Sequence, residues 1–185
     1  MIPMIIKLLF ILGISSSILF GCTTGMKQTE PPLQVVPHVE LDRYLGTWYE
    51  IARFPFRIQE GCVATQATYT LLENGEIGVL NQCRKHGFEG ELSTARGKAW
   101  VVDKETNARL KVRFFWPFSG DYWIIDLGKD YDYAVVGHPT RNYGWILSRT
   151  KNLPEETLKG IISRLEAQGY DFTKFTMTNQ EEYGN

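Results

Sequence analysis

Apolar and polar residues alternate with a period of two through much of the chain from Gly46 onward. In stretch 108–116, Leu110, Val112, Phe114 and Trp116 fall on one face, and Lys111, Arg113 and Phe115 on the other. A pleated strand sends successive side chains to opposite faces, so this alternation predicts half-buried strands. Eight such runs are read, at 46–54, 64–72, 76–84, 94–102, 108–116, 121–127, 133–137 and 144–149. Turn formers separate them, Asn74-Gly75 most clearly. Links this short imply antiparallel neighbours, because a parallel pair needs a long crossover. The period then changes. Leu158, Ile161, Ile162 and Leu165 form one stripe, which predicts a helix opened by Pro154, Glu155 and Glu156 and stopped at Gly169. A last strand is expected at 174–179. The predicted fold is all-β: an eight-stranded antiparallel up-and-down β-barrel with one C-terminal α-helix packed outside and a short final strand. Closing the sheet removes its exposed edges.

The first 21 residues belong to another pattern. Lys7 is the sole charge before position 27, and 8–20 is apolar apart from Gly13 and three serines. That length suits the apolar core of an export signal and falls short of a bilayer span. It ends Leu19-Phe20-Gly21-Cys22, which resembles the lipobox of bacterial lipoproteins; the resemblance implies cleavage before Cys22 and lipidation of its thiol and amine. Thr23 follows, where Asp commonly marks retention in the inner membrane, so an outer-membrane location facing the periplasm is expected. Residues 22–39, mostly polar with Pro31, Pro32 and Pro37, read as a lipidated N-terminus and flexible tether, and 40–185 as the folded domain.

Net charge is −1 and charged residues make up 22% of the chain, which argues against nucleic acid as a partner. Aromatic residues reach 13%, which suits strands and apolar linings. With Cys22 lipidated, Cys62 and Cys83 remain as a pair flanking the hairpin turned at Asn74-Gly75. Folding there brings position 62 near the mid-eighties, so a disulfide is geometrically reasonable. A metal site and two free thiols are the rival readings. The former is weak, because there is no CxxC and His38, His86 and His138 form no ligand pattern. No metal and no cofactor is expected.

Gly46-Thr47-Trp48-Tyr49-Glu50-Ile51-Ala52-Arg53 resembles the GxW signature that opens the first strand of lipocalins, in the form typical of their bacterial and apolipoprotein D branch. Asp130-Tyr131 followed by Tyr133-Ala134-Val135-Val136-Gly137 resembles that family's second motif, and Trp145-Ile146-Leu147-Ser148-Arg149 its third. The resemblance covers about residues 40–180. It implies that Arg149 lies across the Trp48 ring, so that this pair closes the barrel floor; Gly46 permits the tight entry into the first strand, and Asp130 and Tyr131 belong to the motif's turn before a strand. It also implies small hydrophobic ligands, fatty acids or lysophospholipids.

Alternation then assigns the interior. Val112, Phe114 and Trp116 are expected to face inward, as are Trp145 and Leu147, Tyr133 with Val135, and, by parity from Trp48, Glu50, Ala52 and Phe54. A carboxylate such as Glu50 in an apolar interior must be paired, titrate upward or meet water; it is either a structural partner or a polar anchor for a ligand. An eight-stranded barrel is either filled or just wide enough for a small guest. The expected function is a non-enzymatic lipid carrier on the outer membrane. A structural lipoprotein with a filled barrel is the alternative. An enzyme is a weaker one, for no GxSxG, HExxH or P-loop occurs. Monomer and homodimer both remain open.

Overall fold

A computed structural model describes residues 31–180. The expected signal segment 1–21 and Cys22 lie outside the described residues. The folded body begins with a short helix α1 (Leu41–Tyr44), then strands β1 (Gly46–Arg53), β2 (Cys62–Leu71), β3 (Ile77–Lys85), β4 (Leu92–Val101), β5 (Arg109–Phe115), β6 (Phe118–Leu127), β7 (Tyr133–Gly137) and β8 (Gly144–Ser148). Each pairs antiparallel with the next, and β1 pairs with both β8 and β2, which closes the barrel. Helix α2 (Glu155–Ala167) packs outside, burying Ile161 and Leu165, and strand β9 (Thr176–Met177) adds to the outer side of β1.

Two ends of the barrel follow from this order. The floor holds α1, the start of β1 and the β2–β3, β4–β5 and β6–β7 turns. The mouth holds the β1–β2, β3–β4, β5–β6 and β7–β8 connections.

Most strand ends lie within one or two residues of expectation, and three regions differ more. Strand β6 begins at Phe118, so the β5–β6 link shrinks to Trp116 and Pro117. The last strand is only Thr176–Met177, because the chain beyond it crosses to β2. The flexible tether expected at 22–39 is corrected over its described part, 31–39. Leu33 and Val39 are buried, and the Val36 and Val39 amides donate to the Ile124 and Thr106 carbonyls at 3.0 and 2.8 Å. Prolines here mark an extended strap whose apolar side chains are packed, and extension alone did not distinguish that from a free linker.

Candidate functional site: floor, interior and mouth of the barrel

The floor is built around Trp48. Gly46 enters β1 at φ +91°, a conformation that favours glycine, and a Cβ there would come within 3.4 Å of Arg149. The Arg149 guanidinium lies 3.7 Å above the Trp48 ring centre. It donates to the carbonyls of Thr47, Arg43 and Leu45 at 2.9, 2.7 and 2.9 Å, and its Nε to that of Tyr131 at 3.3 Å. The Trp48 indole N–H donates to the Tyr44 carbonyl at 2.8 Å. Tyr131, in the β6–β7 turn beside Asp130, accepts from the Glu40 amide at 2.8 Å. The expected floor is therefore in place, with its polar groups spent on backbone.

Above the floor three phenols meet. The Tyr44 and Tyr69 hydroxyls each lie 2.8 Å from that of Tyr122. Burial pushes all three upward in pKa, Tyr69 to about 12, so they stay neutral. Two contacts use two of the three hydroxyl protons, which leaves one donor. These rings, with Ile77, Ala99, Leu110 and Val112, enclose a space of the order of a single water molecule. Sequence analysis missed the trio. Its signal was parity, since Tyr69 shares a face with Ala67 and Tyr122 with Ile124, both turned inward.

The other expected interior residues divide. Val112, Phe114, Trp145 and Leu147 belong to the interior cluster with Trp48. Gly97 lets Phe114 cross β4 closely, for a Cβ there would stand 2.8 Å from the ring. Phe54, Tyr133 and Val135 do not face inward; they pack under α2 in the outer cluster. Strand β1 carries a bulge at Ile51, where Glu50 pairs with Leu147 but Ala52 with Ile146, so the side chains from Ala52 onward change face and Ala52, expected inward, joins the outer cluster. On β7, Ala134 and Val136 pair with Leu147 and Trp145 and share their inward face. Tyr133 therefore points out, and its hydroxyl accepts from Arg164 at 3.0 Å. Trp116 is corrected too: it occupies the β5–β6 tip beyond the last inward rung and is 82% exposed.

Glu50 faces the interior and is 3% exposed. One carboxylate oxygen accepts from the Thr178 hydroxyl at 2.6 Å and the other from Gln59 Nε2 at 2.8 Å. Arg53 Nε stands 3.5 Å away, an ion-pair contact without hydrogen-bond geometry. Burial raises the Glu50 carboxyl above 4.5, and the bonds from Thr178 and Gln59 and the charge of Arg53 offset part of that rise. Gln59 also accepts from the Trp145 indole at 3.1 Å. Gln180 Nε2 donates to the Glu50 and Thr65 carbonyls at 2.7 and 2.6 Å, joining β1 to β2 where their ladder has ended. Glu50 is thus paired within the protein, at mid-barrel, by Thr178, Gln59 and Arg53.

Cys62 and Cys83 form a disulfide at the mouth, with Cα atoms 5.5 Å apart. Among the described residues no group of three or more His, Cys, Asp or Glu is placed to hold a metal ion.

Comparison with known proteins agrees with this architecture. Residues 39–180 match a family model described as a lipocalin-like domain. The chain is 41% identical to temperature-induced lipocalin-1 of Arabidopsis thaliana, over 81% of this chain and 84% of that one. It is 39% identical to the outer membrane lipoprotein Blc of Escherichia coli K12, over 81% and 85%. Among solved structures, insecticyanin from Manduca sexta superposes with a TM-score of 0.66 at 20% identity, covering 82% of this chain and 86% of that one, a likeness of fold.

Proposed function

The chain belongs to the lipocalin family, and from that premise we propose that it binds fatty acids or lysophospholipids inside the barrel and carries them at the outer membrane, without covalent chemistry. The observation that carries this reading is a closed barrel whose inward face, Val112, Phe114, Trp145 and Leu147, is apolar above a finished floor. An acyl tail laid along those residues loses water at about 25 cal/mol per Å² of apolar surface. The spare phenol proton of the Tyr44–Tyr122–Tyr69 trio offers a donor at the deep end. Residues 1–21 serve as the signal, and lipidated Cys22 anchors the protein with the barrel in the periplasm. Two or more acyl chains give stable anchoring where one would not.

The narrow space beside the tyrosines favours a second reading, a filled barrel with a structural role. Native mass spectrometry of the protein isolated from outer membranes separates the two. The carrier reading expects a mass increment of one fatty acid or lysophospholipid per chain, in addition to acylated Cys22. Protein isolated without such an increment, and failing to take up added lysophospholipid, supports the filled barrel.

A further inference from the structure

Among the described residues, five buried side-chain polar atoms make no hydrogen bond: Arg53 Nε, Thr65 Oγ1, Asn81 Oδ1, Arg109 Nε and Trp123 Nε1. Two of them meet on the outside. Arg109 and Trp123 are register partners on β5 and β6, and the Arg109 guanidinium lies 4.9 Å above the Trp123 ring centre. The other three belong to the inner face of consecutive strands β1, β2 and β3. The bulge at Ile51 turns Arg53 inward, where it pairs with Trp145. Asn81 pairs with Ala67 and continues the inward series of Ile77 and Val79. Thr65 stands one step of alternation from Ala67, is 5% exposed, and has its carbonyl tied to that of Glu50 through Gln180. A polar atom buried without a partner is costly, so three of them on one inner wall point to a group that completes them.

Arg53 is the charged member and is 8% exposed. One of its terminal nitrogens donates to the Gln59 carbonyl at 2.9 Å. Glu50 does not use its Nε: the two stand 3.5 Å apart without hydrogen-bond geometry, and both Glu50 oxygens already accept, from Thr178 and Gln59. The guanidinium therefore keeps a donor for another acceptor, and an oxyanion is the acceptor it matches best. The Thr65 hydroxyl adds a second donor, and the Asn81 amide adds an acceptor or, flipped, a donor. The deep end offers no charge to compete, since the three phenols there stay neutral. Polarity in the interior thus runs one way, from a charged donor at the mouth end of β1 to apolar Val112 and Leu147 below.

We propose that the inner wall of β1–β3 holds the anionic head of the bound acyl lipid inside the barrel, with Arg53 Nε donating to its carboxylate or phosphate oxygen and Thr65 and Asn81 completing the contact. The proposal rests on the carrier reading and adds to it which wall takes the head, which residues hold it and what charge it bears. The tail then points toward the tyrosines. Glu50 opposes an incoming anion, but burial holds its carboxyl above the ordinary range, so it answers a second negative charge by taking up a proton.

Three ligands with one tail test this: palmitate, palmitoyl-lysophosphatidylglycerol and uncharged monopalmitoylglycerol. Each is titrated into purified, lipid-stripped protein and followed by tryptophan fluorescence. The wild type is expected to bind at least one of the two anions about tenfold more tightly than monopalmitoylglycerol, and the anion preferred tells a carboxylate site from a phosphate site. The Arg53→Met/Glu50→Gln double variant removes both charges together and leaves neither buried alone. It is expected to narrow the preference to within about twofold while binding monopalmitoylglycerol as the wild type does. Equal wild-type affinity for all three ligands, or a preference kept at full size in the double variant, overturns the proposal and leaves the carrier reading standing. No binding of any of the three removes the carrier reading and the proposal with it. Should the double variant fail to fold, Thr65→Val decides. Its hydroxyl has no partner to lose, so the urea midpoint should hold or rise while affinity for the preferred anion falls about threefold; anion affinity equal to that of the wild type overturns the proposal.

Discussion

The floor and the mouth of this barrel are made from similar residues and solve opposite problems. At the floor, Trp48 is fully buried, its indole N–H is bonded, and its face is covered by an Arg149 whose donors are spent on backbone carbonyls. At the mouth, Trp116 stands in solvent with Phe115 and Phe118 beside it. Trp145 lies between them, inside the barrel and tied to the mouth loop through Gln59. The same side chain closes the barrel where its contacts are complete and stands in solvent where they are not. Burial and saturation of polar partners, more than residue type, separate structure from function here.

Substitutions should sort along that axis. Trp48→Ala removes a packed aromatic and strands the Arg149 stack, and is expected to cost about 3–5 kcal/mol. Trp145→Ala should cost clearly less while weakening lysophospholipid binding, so urea melts read beside lipid titrations would break the comparison if the two variants behaved alike. Next in size is the Cys62–Cys83 bridge, which spans 21 residues. Reduction is expected to cost about 3 kcal/mol by freeing that loop in the unfolded chain, and hydrogen exchange should rise first in β2 and β3 at the mouth.

Glu50 gives a smaller effect with a defined sign. Burial raises its folded-state pKa above 4.5, so the folded chain holds the proton more tightly than the unfolded one. Its contribution to stability is fully present below about pH 4.5 and is lost as pH rises through the folded value, by at most about 1.4 kcal/mol per pH unit. Stability measured against pH should flatten across that window in Glu50→Gln; an unchanged profile would remove Glu50 as its source. Smallest of all, Trp116→Ser should change the unfolding free energy read from a urea melt by no more than about 0.5 kcal/mol, since the ring has little to lose in the folded protein.

Much of this was legible in the chain. The period-two runs placed all eight barrel strands, the 3.6 stripe placed α2, and the Asn74-Gly75 turn brought Cys62 and Cys83 together. Trp48 and Arg149 were legible through motif resemblance. What failed was facing. Phe54 was assigned inward by unbroken parity, and a single bulge at Ile51 reversed it. In Tyr133-Ala134-Val135-Val136-Gly137 most side chains are buried, half against the interior and half under α2, so apolarity carried no information about direction. The strap at 31–39 was hidden because an extended, proline-bearing stretch looks the same whether packed or free.

The central claim, that lipid occupies the interior above the finished floor, is tested most directly by filling that interior. Ala99 is buried and borders the space beside the tyrosines. Ala99→Phe places a ring where an acyl tail would end, at an overpacking cost of about 1–3 kcal/mol that a parallel urea melt would register. Titration with lysophospholipid, followed by tryptophan fluorescence, should show saturable binding in the wild type that is lost in a still-folded Ala99→Phe protein. Equal saturable binding in both proteins would contradict the account.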